Sequence, residues 1–275
     1  MEETYRNFIQ CLKEHRWRDI GAFLHSGYAK NDKPFSGDSF AAELQEHGRI
    51  ELHLDAVTID EKGQRLASSI LVRWEPSVRV MGFDPPRKPL LYIEHHVNWF
   101  VDGKLFKTTT MPDRAAVHAQ LSNPDIAQAP DVMNNAEAGQ GAATAKDMEE
   151  LYRRYIASIN ARTMGDDFGS YMHPNIIFNG ATWTVDDLRS MLEPAFAAVP
   201  DCVTVIKTMI ADEKAQRLAV QLTASGTMTK PLFGLDAVGK PVRFAEHNTY
   251  QFRDGRMARF WSLTNWGNLG QTLLD

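Results

Sequence analysis

Glu94-His95 and Glu246-His247 each set a carboxylic acid beside an imidazole. Both side-chain types move protons. Histidine does so with a pKa near neutrality, and a glutamic acid does so as a general acid once burial raises its pKa. Neighbours on a strand point to opposite faces, so the two members of a pair cannot enter one site together. Around the second pair, one face reads Phe244, Glu246, Asn248, Tyr250, Phe252, and the other reads Ala245, His247, Thr249, Gln251. Burial of the aromatics favours the Glu face as the inward one. The alternative turns the His inward as general base. Arg73-Trp74-Glu75 is a third candidate, because residues i and i+2 of a strand share a face. Its plainer reading is a surface salt bridge, worth little. His95-His96 beside Glu94 invites a metal reading, but adjacent strand residues point apart, and Asn248 follows the other pair where a second His would be needed. No metal is expected. No phosphate-binding glycine loop, nucleophile elbow or Cys-x-x-Cys is present.

The pairs recur because the chain is written twice. Residues 60–67 read DEKGQRLA and residues 212–219 read DEKAQRLA, 152 residues further on. The same offset carries Lys88-Pro89 to Lys240-Pro241, Glu94-His95 to Glu246-His247, Phe100 to Phe252 and Asp102-Gly103 to Asp254-Gly255. Upstream the offset drifts, and Tyr5-Arg6 matches Tyr152-Arg153, Asp19 and His25 match Asp167 and His173, and Asn31 matches Asn179. Residues 122–146 have no sustained apolar periodicity and read as a linker. The expected organisation is one domain over 1–121, the linker, and a second domain over 147–275.

Each copy shows the same order of elements. Tyr5, Phe8, Ile9 and Leu12 recur at helical spacing, as do Tyr152, Tyr155, Ile156 and Ile159. A short helix follows over 18–25 and 166–172. A third begins near Asp38 and Asp186, each able to cap it. Strands are expected over 50–59, 65–75, 89–101 and 104–111, with Asp102-Gly103 and Asp254-Gly255 as two-residue hairpin turns. Helices first and an antiparallel sheet after give the class α+β.

Composition narrows the function. The chain carries 30 basic and 35 acidic residues, a net charge of −5, without the basic excess that a nucleic-acid partner wants. No apolar run is long enough for a membrane span. The start, MEETYRNFIQ, is acidic and polar where a signal peptide is basic and then apolar. Cys11 and Cys202 are the only cysteines, too few for a disulfide scaffold. A cytoplasmic location is expected.

Residues 231–266, PLFGLDAVGKPVRFAEHNTYQFRDGRMARFWSLTNW, resemble the SnoaL-like polyketide cyclases of the nuclear transport factor 2-like (cystatin-like cone) superfamily. The likeness lies in Phe-x-Gly, Gly-Lys, a strand, an Asp-Gly-Arg hairpin and a late Trp. Residues 82–113 carry a looser version. The resemblance implies two tandem cone domains, each with three N-terminal helices closing one face of a curved antiparallel sheet over an apolar pocket. It also implies that the copies pack on each other as an intramolecular pseudo-dimer, with a higher oligomer open. Cyclases of the family use an acid four residues after the late Trp. That position is Asn265 after Trp261, and Asp113 in the first copy. An amide cannot shuttle a proton and a carboxylate can. The plainer reading of Asp113 is a cap on a helix over 114–121.

The resemblance implies a cofactor-free cyclase, isomerase or dehydratase working by general acid/base catalysis on an apolar small molecule, such as a polyketide or terpenoid intermediate of secondary metabolism. Asp113, Glu94, His95, Glu246 and His247 are its candidate proton carriers. His173, Asn179, Trp183, Phe244, Trp261 and Asn265 are candidates for holding the substrate, against the plainer roles of turn residue for Asn and core for the aromatics. The alternative is a non-catalytic binding or interaction module on the same fold. A third reading is an epoxide hydrolase, since Arg73, Glu75 and Asp113 resemble the Asp–Arg–Asp set of limonene epoxide hydrolases.

Overall fold

The structure, a computed structural model, describes residues 1–126, 130–133, 141–232 and 238–265. It divides into two compact units, Met1–Ala136 and Glu137–Leu269. The first opens with α1 (Glu2–Lys13) and a short 3₁₀ helix (Trp17–Ala22). These are followed by β1 (Leu24–Lys30), β2 (Lys33–Pro34), α2 (Gly37–Glu46), β3 (Gly48–Asp60), β4 (Arg65–Pro76), β5 (Leu90–Val101), β6 (Lys104–Pro112) and α3 (Arg114–Ser122). The second repeats the order with α4 (Ala145–Ala161), α5 (Met164–Tyr171), β7 (Met172–Phe178), β8 (Ala181–Thr184), α6 (Val185–Ala198), β9 (Val203–Asp212), β10 (Arg217–Thr227), β11 (Pro241–Arg253) and β12 (Arg256–Asn265). Each unit has one six-stranded sheet, in the orders β2-β1-β6-β5-β4-β3 and β8-β7-β12-β11-β10-β9. Among the described residues no helix is long and apolar enough to cross a membrane.

Both sheets are mixed, not wholly antiparallel. β1 runs parallel to β6 and β7 parallel to β12. These two strands occupy 24–30 and 172–178, where the local pattern predicts the end of a short helix and then turns. LHSGYAK and MHPNIIF have little alternation of their own. Pairing with a strand some 80 residues away decides their state, a tertiary override of propensity. Strands β3 to β6 lie within two residues of expectation, because each alternates and ends in turn residues, whereas the two-residue β2 is not expected.

The strongest sequence repeat turns out to build a turn. Asp60 accepts the Gly63 N–H at 2.8 Å and Asp212 accepts the Ala215 N–H at 2.9 Å, folding DEK-x-Q into the same hairpin twice. Gln64 and Gln216 follow in the left-handed region, at φ 50° and 49°. Asp102-Gly103 and Asp254-Gly255 also have positive φ at both positions, as a primed two-residue turn requires. The third helix of each unit is capped two residues ahead of the expected aspartate. Ser36 accepts the Ser39 N–H, and Thr184 with Asp187 forms a capping box. Asp38 and Asp186 sit in the first turn, where they favour the helix dipole.

Each core lies between the helices and one sheet face. α1 buries Tyr5, Phe8, Ile9, Cys11 and Leu12 against Leu66, Ile70, Val72, Trp74, Leu90, Tyr92 and Phe100. α4 buries Tyr152, Tyr155, Ile156 and Ile159 against Leu218, Val220, Leu222, Tyr250 and Phe252. Gly48, at the start of β3, has φ 105°, and a Cβ there would stand 2.2 Å from the Glu75 carbonyl oxygen. Gly48→Ala is expected to cost more than about 1 kcal/mol of stability, read as a lower urea midpoint. An unchanged midpoint would contradict that backbone geometry.

Candidate functional site

Strand parity fixes what faces the helices. Leu66, Ile70, Val72 and Trp74 of β4 and Leu90, Tyr92 and Phe100 of β5 belong to the helix-covered core. By alternation Ser68, Glu94, His96 and Asn98 lie on that face too. The ladder agrees, pairing Ser68 with His96 and Ile70 with Glu94. In the second unit Phe244, Glu246, Asn248, Tyr250 and Phe252 of β11 share the corresponding face, with Glu246 opposite Leu222. So each Glu faces the helices, and His95 and His247 are buried on the opposite face of their sheets.

Glu94 is the end of a hydrogen-bonded chain. Its Oε1 lies 3.0 Å from His96 Nε2, and His96 Nδ1 lies 3.1 Å from the Tyr5 hydroxyl, which is 2.6 Å from Ser68 Oγ. Glu94 also accepts from Thr110. Thr110 is held by Asn31, whose amide donates to Thr110 Oγ1 at 3.2 Å and accepts its N–H at 2.8 Å. Beside this chain Thr108 Oγ1 donates to Asn98 Oδ1 at 2.9 Å. Burial pushes the Glu94 carboxyl up, but the bond to His96, its charge, the Lys30 ammonium and Thr110 together pull it below the ordinary range. Burial also raises the phenols of Tyr5 and Tyr28, the latter to about 12, so both stay protonated. Tyr5 is wholly buried, whereas the side chains of Glu94 and His96 keep 19% and 13% of their surface accessible.

The second unit keeps the Glu and changes its surroundings. Asn248 stands where the first unit has His96 and donates to Glu246 Oε2 at 3.0 Å. It also reaches the hydroxyls of Tyr152 and Tyr250, which lie 3.3 Å apart. Val220, Tyr250 and Phe260 replace Ser68, Asn98 and Thr108. A ladder of rings results: Tyr152 to Tyr250 at 5.0 Å, Tyr250 to Phe260 at 5.3 Å, Phe260 to Phe178 at 4.5 Å and Phe178 to Trp183 at 4.9 Å between centroids. Burial pushes the Glu246 carboxyl up, and the bond from Asn248 only partly offsets it.

The other expected site residues are spread more widely. Arg73 and Glu75 form a 2.6 Å ion pair that also takes in Glu51 at 3.4 Å, about 40% exposed. They lie on the face away from Glu94, because Arg73 and Glu75 alternate with core residues Val72 and Trp74. Asp113 caps α3, accepting the Ala116 N–H at 2.9 Å. Burial raises its pKa while the backbone donors of Ala116 and Ala115 oppose that. Among the described residues no hydrogen bond or ion pair joins Asp113 to the Arg73–Glu75 pair. His173 Nε2 lies 2.8 Å from the Arg253 carbonyl, and Asn179 clasps the Ser262 backbone through both its amide atoms. Trp183 packs on the second core, and Phe244 is buried in a small cluster with Val199, Met228 and Val242. Trp261 pairs with Thr249, and Asn265 with Ala245, both on the face away from Glu246. His95 and His96 diverge, and among the described residues no three His, Cys, Asp or Glu side chains gather as metal ligands. Phe233, Gly234 and Trp266 of the sequence motif lie outside the described residues.

Sequence reasoning missed His96 and Tyr5 as site residues. Its signal was available. Once Glu94 faces inward, the residue two positions on must as well. The cap at Asp113 gives a separable test. Asp113→Ala is expected to lower stability by about 1 kcal/mol, and Asp113→Asn much less, since Asn caps as well. A loss of activity in Asp113→Asn at full stability would mark a proton-transfer role instead.

No curated relative matches the chain. A SnoaL-like polyketide cyclase from Agrobacterium tumefaciens is 29% identical over 43% of this chain and 91% of its own, with a TM-score of 0.40. AclR, described as a putative hydroxylase from Streptomyces galilaeus, is 19% identical over 44% of this chain and 91% of its own, at 0.39. A putative polyketide cyclase from Acidithiobacillus ferrooxidans is 16% identical over 45% and 91%, at 0.40. The family model described as SnoaL-like polyketide cyclase matches residues 149–272. That match lies in the second unit, and the first unit repeats the same order of elements.

Proposed function

We propose that the chain is a general acid/base enzyme, a cyclase, isomerase or dehydratase of an apolar small molecule such as a polyketide or terpenoid intermediate. One observation carries this reading. Both units set a carboxyl at the same position of the helix-covered sheet face, Glu94 and Glu246, each bonded to the side chain two residues on. A carboxyl in such surroundings moves a proton unaided. Removed from bulk water, it acts on a carbon acid or a leaving hydroxyl that solvent would handle slowly. The apolar core around it suits a hydrophobic ligand and holds it in place. Proton transfer falls to the two glutamates, with Asp113 left to its helix cap.

The test is proton exchange and turnover on a panel of apolar β-diketones, anthrones and β-hydroxy ketones in D2O. Wild type is expected to accelerate exchange or elimination on at least one of them, and the Glu94→Gln/Glu246→Gln double variant to lose that acceleration. Equal rates in both proteins would remove the glutamates from the reaction. Binding without turnover by wild type would favour a binding module.

A further inference from the structure

The two carboxyls stand at equivalent positions, yet their neighbours differ in kind. Glu94 faces His96 and Tyr92 on its own strand, Thr110 on β6, Lys30 on β1 and Tyr5 on α1. Lys30 in turn pairs with Glu43 of α2 at 3.4 Å. Two of these groups are bases that carry or can gain positive charge. Glu246 faces Asn248 and Tyr250 on its own strand, Tyr152 and Tyr155 on α4, and Cys202 ahead of β9. Those are an amide, phenols and a thiol, and burial raises the pKa of each phenol and of the thiol, so all are neutral at pH 7. Each carboxylate has a side-chain partner two residues on at 3.0 Å, an imidazole in one unit and an amide in the other.

We propose that position 96 and its counterpart 248 divide the chemistry between the domains: His96 makes Glu94 a proton acceptor, and Asn248 leaves Glu246 a proton donor. An imidazole compensates a negative charge by gaining or sharing a proton, and a primary amide has no such capacity. The directions of the shifts agree, Glu94 down and Glu246 up. In the first domain the substrate is then a carbonyl compound with an acidic C–H. That bond breaks, its proton goes to Glu94, and its electron pair goes to the carbonyl oxygen as an enolate. Where a C=C conjugates with the enolate, the pair moves back from oxygen to the far carbon, which takes the proton from Glu94 and so restores both the carbonyl and the carboxylate. In the second domain the substrate is a β-hydroxy compound. The Glu246 O–H breaks, its proton goes to the hydroxyl oxygen, the C–O bond breaks with its pair, and water leaves. A neighbouring C–H then gives its proton to the Glu246 carboxylate and its pair to the new C=C. The ring ladder from Tyr152 to Trp183 suits a flat, aromatic substrate in that second site.

This assignment rests on the acid/base reading, but it is tested by titration and not by turnover. In the full chain with 13C-labelled glutamate, carboxyl resonances assigned by Glu94→Gln and Glu246→Gln are followed with pH. One is expected to titrate below the ordinary glutamate range and the other above it. His96→Asn is expected to move Glu94 upward, and Asn248→His to move Glu246 downward. Asn248→Ala is a second variant for the case where histidine does not fit; loss of the amide donor moves Glu246 further up. Two resonances titrating together in the ordinary range, or unmoved by these substitutions in folded protein, would overturn the proposal. Turnover in the same variants bears separately on the acid/base reading.

Discussion

Glu94→Gln and Glu246→Gln are each expected to slow the step they serve by about 10²- to 10⁴-fold, the usual worth of a positioned acid or base. Glutamine keeps the volume of the side chain and can still bond to Thr110, His96 or Asn248, so the fold survives. What it loses is the proton. The two losses should differ in their pH dependence. On the assignment proposed above Glu94 acts as carboxylate, and its lowered pKa keeps it so until pH falls below the ordinary glutamate range. Turnover remaining in Glu246→Gln is therefore lost on the acid side. On the same assignment Glu246 acts as the acid, and its raised pKa keeps it protonated until pH rises above that range. Turnover remaining in Glu94→Gln is lost on the alkaline side. The measurement is kcat/KM against pH for both variants on whichever panel compound wild type converts. Profiles that coincide would assign both limbs to one shared group.

Phe252→Ala is expected to be the most damaging single change in the second domain, at about 3–5 kcal/mol. Phe252 is fully buried, in one cluster with Leu218, Met257 and Phe260. Truncation removes its transfer free energy and leaves a cavity that β-sheet neighbours, fixed by their ladders, cannot collapse into. Whole domains hold only about 5–15 kcal/mol, so this is a large share. Urea unfolding read by circular dichroism checks it. A loss under 1 kcal/mol would mean that the site repacks. Phe100, its counterpart in the first domain, is buried among residues of that unit's core, so the same change there is expected to act alike.

Much of this molecule is legible in its sequence. Helical spacing of Tyr5, Phe8, Ile9 and Leu12 placed a buried helix face, and alternation placed four strands of the first sheet to within two residues. Asp102-Gly103 and Asp254-Gly255 marked hairpins because both residues must take positive φ. All these signals are local: a period, a turn or a cap expressed in neighbouring residues. The inward direction of Glu94 was open on one copy alone, and the aromatics flanking Glu246 tilted it toward the arrangement that the core shows.

Other features depend on distant parts of the chain. β1 and β7 are strands because β6 and β12 offer them an edge, and nothing in LHSGYAK announces that. His96 matters because α1 brings Tyr5 over it, from 91 residues away. Lys30 bears on Glu94 from a strand that the local pattern does not predict. Arg73 and Glu75, attractive as a spaced pair, fell on the outer face because the core took their even-numbered neighbours. The sequence by itself determined that the chain is two copies of one α+β plan with an acid repeated at 94 and 246. Only the tertiary structure decided what surrounds each acid. A carboxyl's proton affinity is set by burial and by charges within a few ångströms, and those neighbours come from strands and helices far apart in the chain.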